Sequence, residues 1–221
     1  MRQLRRTAVG LVATGATLIT LAACSAPSYT YAADTADHAY FKVPTAWRQV
    51  TPQALSGAQL ELSRSAAGAA GGTFAWSRAY AATNNPAANA LLVGSQTPVV
   101  YASVQYINSS LRDALSFDYM RDLFLPVTAG ARQSATAAGF SFTGFNLIFS
   151  GTITTKDGVR GINELYEYSI RGVPDAFYQT VLTNSSTTKL YLLLVQCYQG
   201  CFVAHEAQIR QVIESFTVRG S

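Results

Sequence analysis

The chain has 221 residues, of which 49% are hydrophobic and 13% are charged. Its formal net charge of +4 comes mostly from Arg2, Arg5 and Arg6, because residues 24–221 carry 13 Lys and Arg against 12 Asp and Glu. A nucleic-acid-binding protein shows a basic stripe or patch, and this sequence has none. We therefore expect no nucleic-acid partner.

The N-terminal segment has the pattern of a bacterial lipoprotein signal. Residues 8–23 are uncharged, and these 16 positions fall short of the roughly 20 that span a bilayer. A basic start, a short apolar run and small residues at its end are typical of a secretory signal. The sequence LAAC (21–24) resembles the lipobox, in which the Cys thiol receives a diacylglyceryl group. It predicts a signal peptide over 1–23, lipidation of Cys24 and attachment to the extracytoplasmic face of the cell membrane. A buried core helix with an incidental Cys is the alternative.

The rest of the chain divides into a tether and one domain. Residues 24–39 are small and polar without apolar periodicity, which predicts a tether. Residues 40–221 have the length of one ordinary domain. Strand patterns lie at 40–43, 58–63, 73–83, 97–107, 145–154, 159–170, 176–183, 189–197 and 215–218, and helical patterns lie at 110–125 and 202–216.

Three local patterns set the expected arrangement. Ser110 is the predicted cap of the first helix. Phe145, Leu147 and Phe149 should lie on one face of their strand. The strand 189–197 is apolar on both faces, so its sheet needs a covering layer on each side. The sequence therefore predicts an α+β fold, a mainly antiparallel sheet with helices on both faces, or α/β/α sandwich.

The two remaining cysteines, Cys197 and Cys201, form an even pair outside the cytoplasm, where disulfides persist. Regular helix geometry holds positions i and i+4 too far apart for the bond, so we expect a turn at CYQGC in which Gly200 supplies conformational freedom. The alternatives are a redox pair and metal ligands. The spacing is not C-x-x-C, and the sequence lacks a second Cys or His pair to complete a zinc site.

Patterns that would indicate catalysis or metal binding are incomplete. HEAQI begins like H-E-x-x-H, but Ile209 stands where the second His is needed, so His205 is predicted to lie on a helix surface. A G-x-S-x-G motif is also missing. We predict no catalytic, cofactor-binding or metal-binding residue.

The acidic residues on the predicted elements do not form an evident catalytic pair. Asp118 and Asp122 are predicted to share a solvated helix face. Glu164 and Glu167 should lie on opposite faces of their strand. The 12 tyrosines of the chain either fill the space between sheet and helices or line a pocket for a lipid or a sugar.

Three features of the sequence occur together: FKVP (41–44) followed by Trp47, a meander of four strands over 145–197, and a helix leading into IESF (213–216). In this combination the chain resembles the PsbP-like fold, which is shared by photosystem-associated PsbP proteins, Ran-binding Mog-type proteins and LpqN-type lipoproteins of actinobacteria. The Ala-rich composition and the lipobox suit the LpqN type. The resemblance implies a binding or assembly factor and carries no shared catalytic set, because fold does not fix function.

Two functions are consistent with these observations. The first is a non-catalytic envelope lipoprotein that binds a protein partner, and the second is a carrier of a lipid or another hydrophobic small molecule. A filled core would favour the first, and an apolar cavity of several hundred Å³ the second. In both cases we expect no enzymatic activity and no cofactor.

Overall fold

The computed structural model describes residues 28–52, 55, 73–84, 86, 94–140, 143–170 and 172–219. Its strands are β1 (Tyr29–Asp34), β2 (Ala39–Pro44), β3 (Arg48–Gln49), β4 (Thr73–Ala81), β5 (Val99–Tyr106), β6 (Thr143–Thr154), β7 (Arg160–Ile170), β8 (Val173–Thr183), β9 (Lys189–Tyr198) and β10 (Thr217–Val218). Its helices are α1 (Ser109–Ala114), α2 (Phe117–Arg121), α3 (Ala129–Ala137), α4 (Gln199–Ala204) and α5 (Glu206–Glu214). The predicted strand 58–63 lies outside the described residues.

Seven strands form one antiparallel sheet in the order β3-β4-β5-β9-β8-β7-β6. Strands β6 to β9 are the predicted meander, and Gly158, at φ +83°, makes the first of its turns. A conformation with positive φ is readily available only to glycine, which explains the Asp-Gly sequence at this turn. Strands β1, β2 and β10 form a second, smaller antiparallel sheet.

One face of the large sheet is covered by α1, α2 and the segment that follows them. Leu111 of α1 and Met120 of α2 are buried in this layer, where they belong to the same apolar cluster as Tyr166, Tyr168 and Phe177 of the sheet. We call this side of the sheet the α2 face.

The other face is covered by α4, α5 and the small sheet. Phe41 of β2, Phe202 of α4 and Ile209 of α5 are buried there with Leu193 and Val195 of β9. We call this side the α5 face. The predicted α+β arrangement, with helices on both faces of an antiparallel sheet, is confirmed.

Residues 29–39, which were expected to be part of the tether, belong instead to the folded domain. Strand β1 pairs with β2 along its whole length, from Tyr29 opposite Pro44 to Asp34 opposite Ala39. Its two buried positions hold Ala32 and Asp34, so the strand has no large apolar residue to reveal it. The order of this segment comes from backbone pairing rather than from apolar periodicity.

The single helix predicted over 110–125 is two short helices. Asn108, not Ser110, caps α1, and its Oδ1 accepts a hydrogen bond from the backbone N–H of Leu111 at 2.8 Å. Ser116 begins α2 in the same way. Both residue types compete for backbone groups and favour caps over helix interiors, which explains the interruption. The predicted helix over 202–216 is similarly divided, into α4 and α5.

Candidate functional site

Cys24, the predicted lipidation site, lies outside the described residues, so its modification stays a prediction. Among the helices that the structure describes, none is long and apolar enough to cross a lipid bilayer.

The structure contains a disulfide between Cys197 and Cys201, whose Cα atoms are 5.9 Å apart. The prediction of a turn around this bond is wrong. Cys197 is the second-to-last residue of β9 and Cys201 lies in α4, with the change from strand to helix at Tyr198. Gly200 lies within α4, without a positive φ, and so is not needed for a turn. The strand-to-helix transition brings the two thiols together where a regular helix would not.

His205 lies at the junction of α4 and α5 rather than on a continuous helix surface. It is half-buried, and its Nδ1 lies 3.0 Å from the carbonyl oxygen of Cys201. Within the described part of the chain, no group of three or more His, Cys, Asp or Glu side chains is placed to hold a metal ion.

The two aspartates at α2 have different roles, which corrects the prediction of one solvated face. Asp118 is exposed and pairs with Arg121 at 2.7 Å. Asp122 ends the helix, and its Oδ1 accepts hydrogen bonds from the backbone N–H groups of Val127 at 2.7 Å and Thr128 at 2.8 Å. Asp122 therefore orders the segment that leads to α3.

A buried polar cluster links α2 to the sheet. Glu164 is fully buried on the α2 face, and its Oε1 accepts a hydrogen bond from Nε2 of Gln179 at 2.6 Å. The same Gln179 nitrogen donates to the carbonyl oxygen of Arg121 at 2.8 Å. On the β6 side, Ser150 donates to Oε2 of Glu164 at 3.4 Å. Burial raises the pKa of Glu164 to about 7, partly offset by the bond from Gln179 and the charge of Arg121.

As predicted, Glu164 and Glu167 lie on opposite faces. Glu167 is half-exposed and accepts hydrogen bonds from Asn146 at 3.2 Å and Gln199 at 2.9 Å. The burial of Glu164 was not predicted. A signal for it exists in the sequence, since Glu164 shares the period-two positions of Ile162 and Tyr166, both of which are buried.

Strand β6 is a long, uncharged edge of the large sheet. Among the described strands it has a neighbour on one side only, and none of its 12 residues is charged. Leu147, Ile148 and Phe149 are 46%, 52% and 46% exposed. The opposite edge, β3, has two residues, one of which is Arg48. Proteins usually protect edge strands with charges, proline, shortness or bulges, and β6 lacks the first three of these features.

A bulge in β6 distributes its apolar side chains over both faces. Leu147 pairs with Tyr166, whereas Phe149 pairs with Leu165. A step of two residues along β6 therefore matches a step of one residue along β7. Because directly opposed residues share a face, Leu147 lies on the α2 face and Phe149 on the α5 face. The prediction that Phe145, Leu147 and Phe149 share one face is therefore wrong for Phe149.

Two of the clefts that the described residues line are open to solvent. One, of about 230 Å³, lies beside β4 and is lined by Val50, Leu55, Trp76 and Arg78 among others. The other, of about 290 Å³, lies between α3 and the sheet. Its lining includes Pro126, Arg132, Gln133, Thr136, Phe145 and Tyr168. We call it the α3 cleft.

No family model matches the chain, and no curated protein matches it. Solved structures do. The cyanobacterial PsbP of Synechocystis is 15% identical, with a TM-score of 0.51, over 92% of this chain and 99% of that one. LpqN of Mycobacterium tuberculosis, involved in cell envelope biogenesis, is 12% identical, with a TM-score of 0.47, over 82% and 83%. The Ran-binding protein Mog1p of Saccharomyces cerevisiae is 4% identical, with a TM-score of 0.45, over 87% and 96%. The likeness to PsbP concerns the fold alone, and at that level it confirms the resemblance seen in the sequence: the chain has the PsbP-like fold.

Proposed function

We propose that this protein is a lipoprotein, anchored through Cys24 to the extracytoplasmic face of a bacterial cell membrane, that acts without catalysis by binding a protein partner of the cell envelope. The observation that carries the proposal is the uncharged apolar edge strand β6. The lipobox supports the location, and the PsbP-like fold is compatible with a binding role.

An edge strand presents backbone N–H and C=O groups that a strand from another protein can pair with. Strand β6 has 12 residues, which is longer than a typical partner strand of about five or six residues. Its exposed residues Leu147, Ile148 and Phe149 supply apolar surface on both sides of that edge. Pairing would bury this surface and satisfy the backbone groups together.

The close packing of the described core favours a protein partner over the alternative of a carried lipid. Leu193 and Val195 of β9 are fully buried on the α5 face, and Tyr166 is fully buried on the α2 face. The two clefts are open, and each has an arginine in its lining. A lipid carrier needs a largely enclosed apolar site.

The test is crosslinking in intact cells of the native host. A photoreactive amino acid replaces Leu147 in one strain and Val203, which is 70% exposed on α4, in the control strain. We expect a discrete protein adduct from position 147 that disappears when Ile148→Lys is added. Lipid extraction of the same eluate tests the carrier.

Equal adducts from both positions, or a lipid adduct alone at 147, would contradict the proposal. Because Ile148 is half-exposed at a bulge, Ile148→Lys should leave the free energy of unfolding within about 0.5 kcal/mol of wild type. Loss of the adduct then reports binding and not folding.

A further inference from the structure

The α3 cleft lies on the α2 face of the sheet, as do the side chains of Phe145 and Leu147 of β6. The ring centroid of Phe145 lies 5.2 Å from that of Tyr168, which is buried on the α2 face. Leu147 also lies on this face, as its pairing with Tyr166 shows. One side of strand β6 therefore presents Leu147 and, toward its start, Phe145 and the cleft.

Arg132 gives the cleft a positive charge. Its guanidinium lies 4.2 Å from the centroid of the Phe145 ring, which holds the planar group against an aromatic face. Its Nε donates to the carbonyl oxygen of Val127 at 3.3 Å. Among the described residues, no carboxylate forms an ion pair with Arg132. A guanidinium has five N–H donors, so its two terminal nitrogens are available for a ligand.

The neighbouring acid does not neutralise this charge by direct contact. Asp122 uses both carboxylate oxygens on Val127 and Thr128, with its Oδ2 accepting from the Thr128 hydroxyl at 2.7 Å. Burial raises the pKa of Tyr168, and the charge of Asp122 raises it further, whereas the opposite charge of Arg132 lowers it. A site with one cation and one nearby anion suits a single negative charge better than a doubly charged phosphate.

We propose that the α3 cleft binds a carboxylate side chain carried by the partner strand that pairs with β6. This inference rests on the proposed function, and it names the chemistry of the partner: an uncharged strand-forming segment with one Asp or Glu near its end. Arginine holds a carboxylate through two parallel hydrogen bonds, and the guanidinium of Arg132 is already held over the Phe145 ring.

Strand geometry fixes the spacing of that acid. Residues two apart on a strand lie on the same face, about 6.8 Å from each other. A partner residue that packs on Leu147 therefore shares its face with residues two and four positions away, in the direction of Phe145. The acidic residue should stand at one of these positions, and at no odd spacing.

The test is selection from a displayed library of peptides by the full chain, purified in detergent micelles. Each peptide has a core of six alternating Val and Thr residues with three randomised positions on either side. We expect enrichment of Asp or Glu at a position an even number of residues from the core residue that packs on Leu147. This enrichment should be lost with Arg132→Gln. It should be retained with the control Arg210→Gln, which alters an exposed ion pair on α5. For a selected peptide with an amidated C-terminus, exchange of its Glu for Gln should weaken binding about tenfold.

Binding of the core without an acidic preference would overturn this inference and leave the proposed function standing. An acidic preference that survives Arg132→Gln would also overturn it. Binding of no peptide by the folded wild type would count against pairing at β6 itself. Arg132→Lys, which keeps the charge without the planar fork, should retain a weaker preference, and thermal unfolding of each variant confirms that it is folded.

Discussion

The side-chain amide of Gln179 on β8 lies 2.6 Å from Oε1 of Glu164 on β7, and both side chains are fully buried. The same amide nitrogen donates to the last residue of α2 through the Arg121 carbonyl. One nitrogen thus holds an acidic side chain and a helix end together. The stability of this side of the protein should therefore depend on the charge of Glu164.

Glu164 should make the protein less stable as pH rises toward neutrality. Its pKa is about 7 in the folded protein and near 4.5 without burial, so the folded state holds the proton more tightly. The stability contribution is complete below pH 4.5 and is lost as pH rises through 7, by at most about 3 kcal/mol. Glu164→Gln should remove this part of the slope in urea unfolding measured from pH 4 to 8.

Glu167→Gln, on the opposite face of β7, is the control for replacing a glutamate of this strand by glutamine. Asp175, which is buried and has a pKa raised to about 7 by burial, contributes a slope of the same sign. The test therefore compares the pH slope of the unfolding free energy in wild type with that in the Glu164 variant. It does not require a slope of zero in the variant. An identical slope in these two proteins would contradict the prediction.

Gly161 and Gly200 should respond oppositely to substitution by alanine. A Cβ at Gly161 would lie 1.9 Å from the carbonyl oxygen of Val181, a backbone atom that cannot move without disturbing β8. We expect Gly161→Ala to lower the free energy of unfolding by about 2 kcal/mol or more. Gly200 lies in α4 with open space around it, so Gly200→Ala should raise stability by about 0.5 kcal/mol. Urea unfolding of both variants measures the difference, and equal effects would refute it.

The disulfide should contribute only modestly to the free energy of unfolding, because it closes a short loop. It closes a loop of five residues, so replacing Cys197 and Cys201 by Ala should cost roughly 2 kcal/mol or less. Intact mass with thiol alkylation, before and after reduction, establishes whether the bond exists in protein from the native envelope. Two alkylated thiols before reduction would contradict the prediction.

Asp37 should be an important residue of the β1–β2 turn. It is almost fully buried and contacts Lys189 at 2.8 Å and the Tyr106 hydroxyl at 3.0 Å. Burial alone would raise its pKa, but these hydrogen bonds outweigh that effect and lower it, so its contribution is present above pH 3.8 and lost in stronger acid.

Asp37→Asn should therefore cost about 2 kcal/mol at pH 7, because it leaves Lys189 without its counterion. Glu206→Gln, in an exposed pair with Arg210, should cost at most about 0.5 kcal/mol. Chemical denaturation of both variants at pH 7 and pH 3 tests the assignment. If Asp37→Asn and Glu206→Gln cost the same free energy of unfolding, the expected stabilising role of Asp37 in the turn would be refuted.

Cys24→Ala should release the protein from the membrane or leave its signal uncleaved, because the thiol that receives the lipid is missing. Labelling with a fatty acid, followed by cell fractionation, measures both outcomes. Cys201→Ala is the control and should still take up label. Membrane retention of the Cys24 variant, with no label in wild type, would refute lipidation.

The covering of the sheet could be predicted because β9 is apolar at every central position from Leu190 to Val195, which requires packing on both faces. Strand β1 could not, because its buried residues, Ala32 and Asp34, lack an apolar pattern. The bulge at Ile148 was also unpredictable, since one extra residue in β6 changes the face of Phe149 without changing the apolar character of the segment.

The candidate sites were harder to predict than the fold. Glu164 and Gln179 are 15 positions apart, and only strand pairing places them in contact. Arg132 on α3 reaches the ring of Phe145 at the start of β6, a contact that no local pattern encodes. Polar contacts between distant elements depend on the register of the sheet, and register is set by the whole fold.

The start of β1 also limits how far the domain could lie from the bilayer. The carbonyl of Ser28 already accepts a hydrogen bond from the backbone N–H of Thr45 at 3.1 Å, so Ser28 is held against β2. Only four residue steps separate Cys24 from that point, and an extended chain covers at most about 14 Å in four steps. If Cys24 carries lipid, the end of the domain that contains Ser28 and Thr45 stays within the depth of the lipid headgroups and their adjoining water. The protein would then meet its partners close to the membrane surface, because the chain between the lipid and the domain reaches no further than about 14 Å.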